Sequence, residues 1–291
     1  MAKYVCCPMA DHHASLASRT PSLKDRWLRF RDTRLVAPWL GTSWRKLHSP
    51  TLFTWGRALQ SNPKHWPHSA PVEEDAIDAI AAWRTQLSRT SDLVVRRDLG
   101  AGERKSGKKQ ATVSVQDMAS RALTPEEDAR ALGRWLRCVA PKGRFLELGT
   151  SLGVMSAHVA ATGWDVETWE GCPQTLAWAQ KGWDTLGCSS GIHAQCGNFV
   201  ELVGRVGKGE FWDVVYLDGF HEEGATLHLA DALAPHVREV LVIDDIAWSH
   251  GMHRAWRELQ SRPEWRVSFS WRGRGFLLKA PHMRRQHVRM A

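Results

Sequence analysis

The fold this sequence predicts is a mostly parallel α/β sheet with helices on both faces, preceded by a mainly helical N-terminal region. Three observations carry that expectation. From residue 144 onward, short apolar runs of strand length alternate with stretches of helical apolar spacing. Nearly every run closes on an acidic or polar residue, commonly with a glycine beside it. The last two runs, Trp265 to Trp271 and Gly275 to Lys279, are separated only by Arg272-Gly273-Arg274, a length and composition suited to a hairpin. Five βα units followed by a hairpin give seven strands, with one antiparallel strand at the edge.

In chain order, residues 1–40 are an accessory or poorly ordered segment, because Pro8, Pro21 and Pro38 break up any long helix. Residues 41–123 form a helical and irregular lid region. Its first half is rich in Trp, His and Pro, and an amphipathic helix then runs from Val72 to Leu87 with Glu73, Glu74 and Asp75 near its positive end. Leu99 to Lys109 (L-G-A-G-E-R-K-S-G-K-K) is glycine-rich and cationic, either a flap that approaches an anion or a solvated linker. A short helix follows over Val115 to Ala122. The α/β domain spans 124–280 and opens on Thr124-Pro125-Glu126-Glu127, which reads as an N-cap threonine, a proline at the first helical position and a capping-box glutamate.

The alternating units are then strand Arg144 to Leu148 and helix Val154 to Thr162, strand Asp165 to Glu170 and helix Pro173 to Leu186, and strand Ile192 to Gln195 with a short helix from Phe199. Strand Asp213 to Leu217 leads to helix Ala225 to Leu233, and strand Val240 to Ile243 to helix Met252 to Gln260. Residues 281–291 are an Arg-rich, solvated tail.

The 291 residues, 43% of them hydrophobic, suffice for a sizeable core. A formal net charge of +8 admits an anionic partner such as RNA, but the charges are scattered rather than run together, so a solvated basic surface is the plainer reading. Sixteen tryptophans against two tyrosines point to indole packing. Six cysteines without a C-x-x-C pair suit reduced thiols and a cytoplasmic setting. Cys188, His193 and Cys196 could ligate zinc, but no fourth ligand stands at a usual spacing. No apolar run approaches the ~20 residues of a membrane span.

In an open α/β sheet, ligands bind beyond the carboxyl ends of the strands, near the point where strand order reverses. The residues at those ends are Glu147, Gly149, Thr150, Ser151 and Gly153, then Glu170 and Gly171, then Gly197, Asn198 and Phe199, then Asp218, Gly219, Phe220 and His221, and finally Asp244, Asp245 and Trp248. Such a concentration of polar groups is difficult to explain as packing. A dinucleotide site would carry G-x-G-x-x-G so that a helix end can meet a pyrophosphate, whereas here the run is E-L-G-T-S-L-G. Glu170 suits an acceptor for both ribose hydroxyls, a feature shared by NAD and S-adenosylmethionine.

Taken together, L-E-L-G-T-S-L-G, W-E-G, G-N-F, V-V-Y-L-D-G-F-H and V-L-V-I-D-D-I-A-W resemble a class I S-adenosylmethionine-dependent methyltransferase of Rossmann-like fold. A closer likeness is to poorly characterised bacterial methyltransferases that share an H-S-P segment, here His48-Ser49-Pro50, and a D-x-G-A-G loop, here Asp98 to Gly102. The resemblance implies that Glu147, Gly149, Thr150, Ser151 and Gly153 surround the methionine end of the cofactor. It implies that Glu170 and Gly171 meet the ribose, that Asn198 and Phe199 border the adenine, and that Asp218 closes the same site.

Catechol-type O-methyltransferases carry D-x-x-K and D-N at the fourth and fifth strand ends, which hold Mg²⁺ and a lysine base. The matching residues here are Asp218 with His221, and Asp244 with Asp245. The resemblance therefore implies catalytic His221 and Asp218, and Asp218, Asp244 and Asp245 as ligands of Mg²⁺ or another divalent cation. His221 replaces the lysine and Asp245 the asparagine. A metal-free base role for His221 is one alternative. Another is that Asp244-Asp245 merely caps the next helix while His221 lines the pocket. Trp248, His250 and His253 could form an acceptor wall, or equally be a helix-packing tryptophan and two surface histidines. The expected activity is O-methylation of a small-molecule hydroxyl, with a homodimer admissible. The alternatives are an RNA methyltransferase, suggested by the basic balance and the Lys105 to Lys109 loop, and a cofactor-binding regulatory protein without catalysis.

Overall fold

The computed structural model describes residues 42–60, 71–97 and 110–290. The accessory segment 1–40 and the Leu99 to Lys109 loop lie outside the described residues.

The N-terminal region supplies helices α1 (Pro50–Gln60), α2 (Pro71–Leu87), α3 (Val115–Ala122) and α4 (Glu126–Val139). Between α2 and α3, strands β1 (Leu93–Arg97) and β2 (Gln110–Ser114) pair antiparallel in a separate two-stranded ribbon, which no sequence pattern announces. Helix α3 begins where the Ser114 hydroxyl accepts from the Asp117 amide at 3.2 Å, an ordinary N-cap. Helix α4 departs from expectation: Pro125 itself is the cap residue, in extended conformation, and no side chain caps the first turn. The proline places the start at Glu126 and leaves Thr124 to line a cleft.

The α/β units follow in the expected order: β3 (Arg144–Leu148), α5 (Val154–Ala161), β4 (Asp165–Glu170), α6 (Pro173–Leu186), β5 (Ile192–Cys196), α7 (Phe199–Val203), β6 (Trp212–Leu217), α8 (Glu223–Leu233), β7 (Val237–Ile243) and α9 (His250–Ser261). They end in β8 (Val267–Trp271), β9 (Arg274–Leu278) and β10 (Gln286–Arg289). The sheet order is β10-β8-β9-β7-β6-β3-β4-β5. Arg272 and Gly273 both have positive φ, 45° and 83°, and close the β8–β9 hairpin in two residues, as right-handed strand twist favours.

Two expectations are corrected here. The sheet has eight strands, because Gln286 to Arg289, expected within a solvated tail, pairs parallel to β8. The one antiparallel strand, β9, lies inside the sheet between β7 and β8 rather than at its edge.

Period-two alternation distributes the strands between two cores. Phe145, Val214, Tyr216, Val240 and Val242 face the layer that holds α1, α2, α4, α5 and α6. Leu146, Leu148, Val215, Leu217, Leu241 and Ile243 face the layer of α7, α8 and α9. The tryptophans do the expected packing: Trp135, Trp169, Trp212, Trp265 and Trp271 are fully buried. Trp135 stands edge-on to Trp55 at 5.7 Å and to Phe276 at 5.0 Å, pinning α1 and α4 onto the sheet. Strand order reverses between β3 and β6, so β3 continues to β4 on one side and β6 on the other, which opens a crevice at their carboxyl ends.

Candidate active site

A cleft of about 450 Å³ occupies that crevice. Of the residues expected at the site, Gly149, Ser151, Glu170, Gly171, Phe199, Asp218, His221, Asp244 and Asp245 line it. Trp248 lines it as well, while the opposite wall comes from Met118 and the Ala122 to Pro125 connection between α3 and α4.

The β3–α5 turn is built for close approach. At Gly149 φ is 110°, and a Cβ there would stand 2.3 Å from the Asp218 carbonyl oxygen, so this position requires glycine. Ser151, with φ of 50°, directs its amide at the Glu170 carboxylate (2.9 Å), whose other oxygen accepts from the Cys172 amide, also at 2.9 Å. Both oxygens of Glu170 are thereby oriented by backbone. Burial pushes its carboxyl above the usual range, and the amides of Cys172 and Ser151 pull it back.

Four of the expected cofactor contacts do not line the cleft. Glu147 is 1% exposed beneath the turn, where one carboxylate oxygen accepts from the Ser156 hydroxyl and from Thr168 Oγ1 at 2.8 Å. Burial raises its carboxyl to about 7. Thr150 is 2.6 Å from the same Thr168 hydroxyl and extends that buried network. The Asn198 side chain accepts from the Val200 amide at 2.9 Å as the cap of α7. Gly153, with φ of 71°, stands behind the turn, where its carbonyl accepts from the Trp183 indole at 2.8 Å.

At the other end of the cleft, His221 Nε2 stands 3.6 Å from Asp218 Oδ1, and its ring faces Trp248 with centroids 5.8 Å apart. Burial, then Asp244 and Asp245, push the Asp218 carboxyl well above the usual range. Asp244 is not a helix cap, since Ser249 caps α9. Its Oδ1 accepts from the Asp245 amide at 2.7 Å and its Oδ2 from the Tyr216 hydroxyl at 2.5 Å.

Sequence reasoning missed what stands behind Asp244. Arg274, 4% exposed, donates through Nε to the Tyr216 hydroxyl at 2.9 Å and through Nη1 to Asp128 Oδ2 at 2.9 Å. Its Nε lies 3.4 Å from Asp244 Oδ2. Arg272 joins Asp128 from the hairpin turn. The two arginines that flank Gly273 were the only sequence signal for this network.

Backbone strain gathers at the same place. Among the described residues, five non-glycine positions have positive φ, and four of them, Ser151, Phe220, Asp245 and Arg272, line the cleft. No group of three His, Cys, Asp or Glu among the described residues is placed to hold a metal ion as the side chains stand, Cys188, His193 and Cys196 included.

No protein-family profile and no curated protein sequence matches the chain. Solved structures do. The cofactor-bound protein Rv0187 from MTB aligns over 73% of this chain and 98% of its own, with a TM-score of 0.52 and 16% identity. A proposed caffeoyl-CoA O-methyltransferase from Staphylococcus aureus aligns over 56% of this chain and 88% of its own, with a TM-score of 0.50 and 14% identity. At such identities the likeness establishes architecture, and the chain has the fold of these proteins.

Proposed function

We propose that this chain is an S-adenosylmethionine-dependent O-methyltransferase that acts on a hydroxyl of a small molecule. The observation that carries the proposal is the Gly149 to Ser151 turn set against Glu170, whose carboxylate is held by two amides at the strand-reversal cleft. Two fixed carboxylate oxygens match the two hydroxyls of a ribose, and the glycine at 149 lets the β3 turn lie directly against the Asp218 backbone at the cleft. The fold shared with a proposed O-methyltransferase supports the same reading.

When bound, S-adenosylmethionine supplies a methyl group on an electrophilic sulfonium. The protein's own part is to hold the acceptor oxygen in line and take its proton. His221 is suited to take the proton, because its imidazole lines the cleft with a ring nitrogen that can accept one, and Asp218 at 3.6 Å from Nε2 orients the ring. Trp248 beside His221 offers a flat face to the acceptor. The segment 124–280 is the proposed catalytic domain, with residues 41–123 as its wall. Among the described residues Cys138, Cys172, Cys188 and Cys196 are in no disulfide, which suits the proposed cytoplasmic setting. No helix among the described residues is long and apolar enough to cross a membrane.

A divalent cation belongs to the proposal as a separate element. Asp218, Asp244 and Asp245 are hard oxygen donors on one cleft, and the repulsion among them is what a cation relieves. It would lower the acceptor hydroxyl's pKa and orient it. Asp244 is already held by Tyr216 and Arg274, so Asp218 and Asp245 are the residues that would turn to complete a shell.

Titration calorimetry with S-adenosylhomocysteine tests the core of the reading: binding is expected, and Glu170→Ala should weaken it at least tenfold, about 1.4 kcal/mol. Unchanged affinity in that variant removes the ribose assignment. Methyl transfer to a panel of phenolic and hydroxylated acceptors, with and without chelator, tests the metal, and indifference to both chelator and added Mg²⁺ removes it.

A further inference from the structure

The charge of this chain is segregated in a way its local sequence conceals. Residues 33–72 and 265–291 contain no Asp or Glu, yet hold twelve lysines and arginines, more than the whole formal excess of +8. The remaining residues are therefore net acidic. Far apart in sequence, residues 42–49 of the first run and 283–290 of the second meet in space. Thr42 forms a parallel bridge with Met290, and its amide donates to the Arg289 carbonyl at 2.7 Å. Between them lies an open groove of about 630 Å³, whose charged and titratable lining consists of Lys46, His48, Arg284, His287 and Arg289. Among the described residues no carboxylate side chain lines it, and it shares no lining residue with the cleft.

Like charges gathered along one groove raise the free energy of the folded state, and a polyanion relieves that cost. Trp44 stands in sequence between the groove residues Thr42 and Lys46 and belongs to an aromatic pair. Trp44 and Phe53 meet edge-on at 5.0 Å, Phe53 is 36% exposed, and the Arg45 guanidinium lies 4.5 Å from the Trp44 ring centroid. Cations that track a backbone beside aromatic faces that accept bases are the means by which proteins hold single-stranded nucleic acid. A lipid surface fits less well: the cationic surface is concave, and Phe53 is the one large exposed apolar side chain among the described residues of α1.

We propose that the groove between the segment 42–49, which precedes α1, and the segment 283–289, which contains β10, is a binding site for single-stranded RNA, held through its phosphates, separate from the methyl-transfer cleft.

The test uses the full chain and a fluorescein-labelled oligouridylate, followed by anisotropy. Three phosphate contacts, to Lys46, Arg284 and Arg289, predict a slope of about −2 for log K against log salt between about 50 and 200 mM. Lys46→Glu combined with Arg284→Glu, both at exposed positions, should weaken binding about tenfold or more without lowering the thermal melt. Glu170→Ala should leave RNA affinity unchanged while reducing that for S-adenosylhomocysteine, so failure of one proposal is distinguishable from failure of the other. A salt-independent affinity overturns the site, as does a double variant that binds like the parent protein. Capture by phosphatidylserine vesicles without binding to the oligonucleotide overturns it in favour of a membrane surface.

Discussion

At the scale of single residues, Glu147 shows how a strand-end carboxylate can serve the site from beneath it. Its place in β3 suggests a cofactor contact, but the strand's pleat turns the side chain away from the cleft and into the layer between sheet and α5. There the hydroxyls of Ser156 and Thr168 satisfy it. Burial raises its pKa from 4.5 to about 7, so between those values the folded state binds the extra proton. Stability therefore falls as pH rises through that window, by about 3 kcal/mol at 1.36 kcal/mol per unit. Glu147→Gln retains an acceptor and removes the ionisation. Urea unfolding at about pH 5 and pH 7.5 should show a flatter dependence for the variant. Equal slopes for the two proteins would mean that Glu147 is not the titrating group.

At the scale of elements, the turn between β3 and α5 depends on one backbone conformation. Gly149→Ala imposes a positive φ on a side-chain-bearing residue and drives its methyl into the Asp218 carbonyl. The unfavourable φ alone costs about 1–2 kcal/mol, and the clash separates β3 from β6 at the cleft. A lowered melting temperature together with lost affinity for S-adenosylhomocysteine is the expected result, and wild-type values for both would refute it. The turn was legible in the sequence because glycine and an acidic strand end sit within a local pattern. The βα units were legible for the same reason: their apolar alternation is complete within each segment. Strand β10 was not, since Gln286-His287-Val288-Arg289 has a single aliphatic residue and becomes a strand only through the β8 edge that it meets. The β1–β2 ribbon was hidden because its two short strands flank a glycine- and lysine-rich loop that reads as linker. The capping of α7 by Asn198 shows the converse case, a local backbone role in a position where the motif suggests a ligand contact.

At the scale of the whole molecule, the N-terminal region and the C-terminal hairpin are fastened across the cleft by a network that no local pattern announces. Asp128 on α4 and Arg274 on β9 are 146 residues apart in sequence and both about 5% exposed, with Tyr216 and Asp244 completing the chain of contacts. A buried pair of this kind adds little net stability over an apolar substitute, but removing one partner strands the other charge. Arg274→Met should therefore cost about 3 kcal/mol, because Asp244 loses its counter-ion and Asp128 keeps only Arg272. Adding Asp128→Leu to that variant should recover part of the loss, giving a favourable coupling in a double-mutant cycle measured by denaturant unfolding. The Ala122 to Pro125 wall leads directly into α4, so Arg274→Met should also weaken S-adenosylhomocysteine binding, whereas the RNA affinity of the groove, which shares no lining residue with the cleft, should be retained. An Arg274→Met protein that unfolds at the parent's urea midpoint would show that the network does not hold the wall, and that the packing of Trp135 against Trp55 and Phe276 fixes α4 by itself.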